Sequence, residues 1–477
     1  MYVIAKYIAV IACNKKASRK ILVNCMVELE GGVIKKIEQY CGYRVENNGI
    51  ILTFKNKEKK IKNEQLIPSF FADLSFEEKT YYLENSLLAP GLINAHTHSF
   101  ETLFQGAFCF DSYRDKPVKN NNMLDWLLNY KRGLLPLVVY GANRRTQINE
   151  LIQDDLWRLA YRKSVYEQIK SGITYFRDQL WNFGGILEET LNENGDLDIE
   201  HIIAIDCSPS VENTFLKATN IIESKSTKNI VYEVAGTDND LIKCLDRIVD
   251  ISKNYNIGIH LHCCETKNQR KVYMNGNAIK FLYQKKVLGV KTSLAHCVHI
   301  DSSEYSILKD TGTKVVVNNR SNGYLGSGKC NMIEMMNEGI QCCYGTDGAA
   351  SIGINMLSGL RETIILERIF HSNPSIMDAY DALYLATFGA AKCLGMEKIM
   401  GSIEEGKKAN FFITLLQQPV YDPINTLIFS TSEEDIVSVC INGNERKVGK
   451  EIVGIDEMDI NNKILKVCNY YKEMCGV

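Results

Sequence analysis

Residues 87–99 read LLAPGLINAHTHS. An apolar run of strand length passes through Pro90-Gly91 and ends in two histidines spaced two apart. Residues two apart on a strand point to the same side, so His96 and His98 can reach one metal ion. The run is continuously apolar rather than alternating. That pattern belongs to a strand buried on both faces, as in a parallel sheet covered by helices.

The same texture repeats downstream. GITYFRD, HIIAIDCSPS, VYEVAG, IGIHLHCCET, TSLAHCVHI, TKVVVNN and IQCCYGTDG follow in order. Helix-period stretches lie between most of them, including a long helical region at 123–172 and Leu241-Leu245-Ile248-Ile251. Eight apolar strands separated by helices predict an α/β fold, a (β/α)8 TIM-type barrel over residues 89–397. The flanks are different. Val3, Ala5 and Tyr7 alternate, Cys25–Leu29 and Gly32-Val33-Ile34 follow with a glycine turn between them, and Phe411–Thr414 and Ile436–Ile441 are short strands near the other end. Residues 1–88 and 398–477 are therefore expected to pair into one small β-sandwich, with an amphipathic helix at 460–474. The lysine-rich stretch FKNKEKKIKNEQ at 54–65 is expected to be a solvated loop.

Composition removes several classes. The 477 residues are 45% hydrophobic and 23% charged, with 55 Lys plus Arg against 57 Asp plus Glu and a net charge of −2. This is ordinary globular composition, against a disordered or fibrous chain. It offers no broad basic surface for nucleic acid, and no run of 18 apolar residues is present to span a membrane. The opening MYVIAKYIAVIAC loosely resembles a lipoprotein cleavage site at Val10–Cys13 but lacks a basic start and carries Lys6, so it is read as a first strand. Sixteen cysteines are scattered from Cys13 to Cys475 without any Cys-x-x-Cys. They are read as reduced, mostly buried thiols of a cytoplasmic protein.

Chemistry is concentrated at strand ends. Six of the eight histidines fall in His96-Thr97-His98, His260-Leu261-His262 and His296-Cys297-Val298-His299; His201 and His371 stand apart. Each cluster has a plain structural alternative: surface histidines for the first, a buried histidine with a helix-start carboxylate for His262 and Glu265, a hydrogen-bonded core histidine for His296. Asp347, in Gly345-Thr346-Asp347-Gly348, closes the last apolar run, with glycines on either side expected to let the backbone turn sharply. The conjunction decides: four strand ends bring histidines and an aspartate, with accessory His296 and Glu265, to the face where barrel active sites lie. Nitrogen and oxygen ligands suit zinc or ferrous iron. No lysine in HIIAID or VYEVAG is available as a carbamylated bridge, so one divalent ion rather than two is expected.

These segments, with SNGYLGSG at 321–328, YGTDGAAS at 344–351 and ATFGAAKCLGMEKIMGSIEEGKKANFFI at 386–413, resemble the amidohydrolase superfamily. The resemblance covers most of the chain and is strongest to its aminohydrolase group, which includes adenosine-derivative deaminases, guanine deaminases and triazine hydrolases. It implies His96, His98, His262 and Asp347 as metal ligands, with Asp347 also taking a proton from water, and Glu265 and His296 as an acid–base pair. It implies a small-molecule substrate, an aminated nitrogen heterocycle that loses ammonia, and a tendency to form homodimers or larger homo-oligomers.

The chain departs from adenosine-type relatives at Leu135-Pro136-Leu137-Val138, where an acid usually holds ribose hydroxyls, and at Val234-Ala235-Gly236-Thr237, where a histidine is common. Both weigh against nucleoside recognition. The family's Cys-Pro-x-Ser-Asn pattern becomes Asn318-Asn319-Arg320-Ser321-Asn322, which makes Arg320 and Asn322 candidate substrate contacts, Arg320 alternatively a surface pair. Trp126 is a third candidate, on the 101–133 stretch read as the loop closing the site. Other readings of the same residues are a cyclic-amide or halide-displacing hydrolase and, from another class, a barrel that holds metal without turnover. The products ammonia, carboxylate and halide separate the first two from deamination.

Overall fold

The computed structural model describes residues 1–11, 20–106, 134–181, 185–197, 199–206, 230–236, 238–272 and 276–475. Two compact units emerge. One comprises Met1–Ile93, Glu167–Tyr175 and Asn355–Ile455; the other comprises Asn94–Tyr166, Phe176–Ile354 and Asp456–Val477.

The second unit is organised by a parallel sheet. Its strands neighbour one another in chain order: Leu92–His98, Ile173–Leu180, His201–Asp206, Ile230–Gly236, Gly258–Cys263, Thr292–His296, Lys314–Val317 and Cys342–Tyr344. The eighth strand is split. Cys342–Tyr344 pairs in parallel with Lys314–Val317, and Asp347–Gly348 then pairs in parallel with the first strand, Asp347 opposite Thr97. The sheet thus curls until its last strand meets its first, as a TIM-type barrel requires. Strands such as Ile173–Leu180 and His201–Asp206 are buried along their whole length, which explains their continuous apolar runs. The described part of the long helical region forms three helices, Leu134–Asn143, Arg145–Ile152 and Leu156–Lys170. The second ends where Gln153 adopts a left-handed conformation. The final helix, Glu457–Cys475, also belongs to this unit: the Tyr471 hydroxyl donates to the Leu137 carbonyl at 3.2 Å, and Lys463 pairs with Asp154 at 2.9 Å.

The first unit contains a nine-stranded sheet assembled from both ends of the chain. Tyr2–Val10 pairs antiparallel with Lys20–Glu30 and parallel with Ser86–Pro90, and Ser86–Pro90 pairs antiparallel with Phe411–Leu415. A three-stranded sheet, Gly42–Glu46, Gly49–Phe54 and Lys57–Lys62, shares its core: Ile50, Leu52 and Ile61 pack in one cluster with Ile4, Cys25, Phe411 and Cys440. Full burial of such side chains contributes roughly 1.5–3 kcal/mol each.

The lysine-rich stretch is not a loop. Lys57–Lys62 is an edge strand paired antiparallel with Gly49–Phe54, Ile61 opposite Ile50. One apolar residue, Ile61, is fully buried, while Lys60 pairs with Glu46 at 2.6 Å and Glu58 with Arg44 at 3.1 Å. A lysine-bearing edge discourages pairing with other chains, and its sparse apolar content hid the strand from a reading based on hydrophobicity. Among the described residues no helix is long and apolar enough to cross a membrane. Twelve described cysteines form no disulfide, and ten of them are buried.

Candidate metal and catalytic site

The first strand delivers His96 and His98 on one side, the fifth His260 and His262, the sixth His296, and the split eighth Asp347. Ring or carboxylate atoms of His96, His98, His262 and Asp347 all lie within 4.8 Å of one another, and all four residues are buried. His96 Nε2 is 3.1 Å and His98 Nε2 3.5 Å from Asp347 Oδ1. His98 Nε2 faces His262 Nε2 at 3.3 Å.

The outer nitrogens are held from behind. His98 Nδ1 donates to the Gln179 carbonyl at 2.9 Å, which turns the lone pair of Nε2 towards the cluster. His96 Nδ1 lies 2.8 Å from His260 Nε2, and His260 Nδ1 lies 2.8 Å from Ser293 Oγ. Behind His260, Arg177 is 3.3 Å away through Nη1 and pairs with Glu233 at 2.8 Å. Burial, and then Arg177, hold the His260 pKa well below the ordinary histidine range. His260 is thereby kept neutral and able to accept from His96.

The strand ends that carry these groups are conformationally costly. His296 has φ of 71° and Asp347 φ of 66°, the left-handed region that non-glycine residues seldom enter. Such backbone persists where its surroundings over-determine it, and it clusters at functional sites. The flanking glycines do not make the turn; Asp347 does. They permit close approach instead. A Cβ on Gly345 would stand 2.7 Å from Asn318 Oδ1 and 2.8 Å from the His96 Cβ, and one on Gly348 would overlap the Glu101 carboxyl.

A second cluster shares Asp347. His296 Nε2 lies 3.8 Å from Glu265 Oε2 and 3.9 Å from Asp347 Oδ2, while its Nδ1 donates to Asn322 Oδ1 at 2.9 Å. Ser327 Oγ donates to Glu265 Oε1 at 3.1 Å, and Ser321 Oγ donates to Asp347 Oδ2 at 2.6 Å. Burial raises the Glu265 pKa, partly offset by His296. Burial would raise Asp347 too, but His296, and then His96 and His98 beside it, outweigh burial and hold Asp347 well below the usual carboxylate range. Burial acts against protonation of His98, yet Asp347 and Glu101 lift its pKa to about 9. The cluster therefore draws positive charge into a buried place. Three imidazole nitrogens and one carboxylate oxygen converge there, and among the described residues the buried His262 Nδ1 has no hydrogen-bond partner. These features fit a divalent metal ion.

Most candidates from the sequence meet here: His96, His98, His262, Asp347, Glu265, His296 and Asn322. Asn322 reaches the site through His296. Arg320 is half-buried on the same short helix, Asn319–Tyr324, and Trp126 lies outside the described residues. Sequence reading gave no role to Glu101, Asp178, Ser321 or Ser327. Asp178 Oδ1 accepts from the Ser99 backbone N–H at 2.8 Å, and Ser99 follows His98. Glu101 is 3% exposed, and burial pushes its pKa up to about 8 against His98. Asp178, Ser321 and Ser327 lie within motifs quoted above, whereas Glu101 has no local signal. His201 is a core histidine stacked on Phe176 at 4.6 Å.

The model for the amidohydrolase family matches residues 87–446. Curated relatives include a 5-methylthioadenosine/S-adenosylhomocysteine deaminase of Clostridium tetani, 28% identical over 440 residues, 88% of this chain and 92% of that protein. Another, from Acetivibrio thermocellus, is 27% identical over 85% of this chain and 90% of its own length. A zinc-bound adenosine deaminase from Xanthomonas campestris superposes with a TM-score of 0.77 at 19% identity, covering 99% of this chain and 98% of that one. The guanine deaminase of E. coli gives a TM-score of 0.70 at 16% identity, over 93% of this chain and 98% of that one. With the family model spanning the curled sheet and every strand end that bears the cluster, the chain belongs to the amidohydrolase family.

Proposed function

We propose that this protein hydrolytically deaminates an aminated nitrogen heterocycle, releasing ammonia. The observation that carries the reading is the division of labour at Asp347. Its Oδ1 faces His96 and His98, and its Oδ2 faces Ser321 and His296, whose Nε2 also faces Glu265. One carboxylate thus joins a ligand cluster to an acid–base pair. The curated relatives, named for deamination of adenosine derivatives over nearly their full lengths, support the same reaction and favour a purine-like ring.

His96, His98, His262 and Asp347 would hold one divalent ion, zinc or alternatively ferrous iron, whose contribution is a water with its pKa lowered towards ~7. Asp347 takes a proton from the attacking water. Asn322 fixes the His296 tautomer, so Nε2 faces both carboxyl groups and steadies charge as it develops. Glu265, kept protonated more readily by burial, gives its proton to the ring nitrogen beside the carbon that bears the amino group. The proton collected by Asp347 passes to that amino group, which departs as ammonia as the carbonyl forms and the hydroxyl proton of the adduct returns to Glu265. Each acid–base step of this kind is typically worth ~10²–10⁴-fold.

We also read the two sheets of the first unit as one small β-sandwich built from the strands within residues 1–88 and 398–477, the C-terminal helix following them, with residues 89–397 as the barrel, and the buried thiols as fitting a reducing cytoplasm. The test of the main proposal is ammonia release by zinc- or iron-loaded protein from purines, pyrimidines, pterins, triazines and adenosine derivatives, with Asp347→Asn alongside. Release by the wild type and not by the variant is expected. Metal-loaded protein that frees no ammonia from any of them would overturn it.

A further inference from the structure

A cavity of about 460 Å³ lies beside the second cluster, lined by Lys267, Arg270, Lys271, Gly276 and His299. Three of these five are permanent cations, in a chain whose net charge is −2. All lie on connections that leave the fifth and sixth strands at their C-terminal ends, the end at which Glu265 and His296 are presented. The link to the acid–base pair is direct. His299 Nε2 donates to the Ser327 carbonyl at 2.8 Å, and the Ser327 hydroxyl donates to Glu265. Lys267 is two residues after Glu265, so their Cα atoms are at most about 7 Å apart.

The cations are arranged for use by something outside the chain. Arg270 Nε is anchored on the Gly276 carbonyl at 2.8 Å, and among the described residues it pairs with one carboxylate, Asp301, at 3.5 Å. Among the described residues Lys267 and Lys271, both exposed, form no ion pair. The positive field inside the cavity is felt by His299, whose pKa is lowered by burial and then by Lys267 and Arg270. Like charges gathered in one concavity repel one another, and an anion reverses that cost. Lysine and arginine together are a common phosphate-binding combination, the first as point charges and the second as a planar fork.

We propose that this cavity is an oxyanion subsite that takes a phosphoryl group, carried by the substrate or by a separate phosphorylated ligand. It extends the reading of the site as a deaminase, and its binding test stands without that reading.

Pyrophosphate is titrated by calorimetry into the full-length, metal-loaded protein and into the Lys267→Ala/Lys271→Ala variant, whose side chains are exposed and lie outside the catalytic clusters. Saturable binding by the wild type, weakened at least tenfold in the variant and by added salt, is expected. No binding, or equal binding by both proteins, would overturn the proposal whatever the ammonia assay reports. Ammonia release from adenosine and from adenosine 5′-monophosphate then identifies the source. A variant that loses about tenfold in kcat/KM on the monophosphate alone places the phosphoryl group on the substrate. A variant with unchanged preference but lost pyrophosphate binding places it on a separate ligand. Failure of both proteins to release ammonia would remove the deaminase reading and leave the titration to decide the subsite.

Discussion

His260 Nε2 stands 2.8 Å from His96 Nδ1, both rings fully buried, although 164 residues separate them. The contact makes His260 a support for a metal ligand. With His96 Nδ1 donating backwards, its Nε2 is left to face Asp347 and the other imidazoles. Such outer partners typically change metal affinity by about 10–100-fold. His260→Ala is expected to weaken zinc binding by that amount in a chelator competition, and His260→Asn, which keeps an acceptor, to weaken it less. Equal affinity in all three proteins would dismiss the role.

Asp347 serves both clusters, so its loss should remove two functions together. Asp347→Asn is expected to retain less metal and to show no measurable turnover. Ser321→Ala removes only the hydrogen bond to Oδ2, a charge-assisted contact worth about 1.5–3 kcal/mol. It should lower kcat by roughly 10–100-fold while metal content, read by atomic emission, stays at the wild-type level.

Glu265 stands in the second cluster with His296 and Asp347 and is not one of the four residues that would hold the metal. Glu265→Gln is therefore expected to bind metal normally and lose about 10²–10⁴-fold in kcat. A variant that keeps wild-type kcat would exclude Glu265 as proton donor.

Gly348 is required by the Glu101 carboxyl that occupies the place of its missing Cβ. Gly348→Ala overpacks a buried site and should cost about 1–3 kcal/mol, seen as a lower urea midpoint. Adding Glu101→Ala should recover part of that loss, because the two groups compete for one space.

Lys447 supplies a pH test in the other unit. It is 3% exposed and donates to the carbonyls of Glu433 and Lys170 at 3.0 and 3.3 Å. Burial, opposed by Glu433 and Glu434, lowers its pKa from 10.5 to about 8. Between those values the folded chain holds fewer protons than the unfolded chain, so this group makes stability rise with pH from about 8 to 10.5. The full rise is about 3 kcal/mol. Lys447→Met should remove it, and parallel pH–stability curves for the two proteins would refute the assignment.

Much of the architecture is local in origin and so was legible along the chain. Continuous apolar runs such as ITYFRDQL mark strands covered on both faces, and strand ends carry His96, His98, His262, His296, Glu265 and Asp347 within short motifs. The family resemblance follows from the order of those motifs. The Lys57–Lys62 strand escaped because its signal is cross-strand charge pairing rather than hydrophobicity.

Tertiary structure alone decided how equivalent side chains were sorted. His260 and His262 share one strand face, and only packing against His96, Arg177 and Asp347 makes the first a support and the second a member of the cluster. Glu101 enters the site because the chain folds its carboxyl over Gly348, 247 residues later in the numbering, and Asn322 because its amide meets His296. Residue type and local spacing specify which strand end can offer a donor. Which donors converge depends on closure of the sheet, which brings Asp347 beside Thr97 and against His96 across 251 residues.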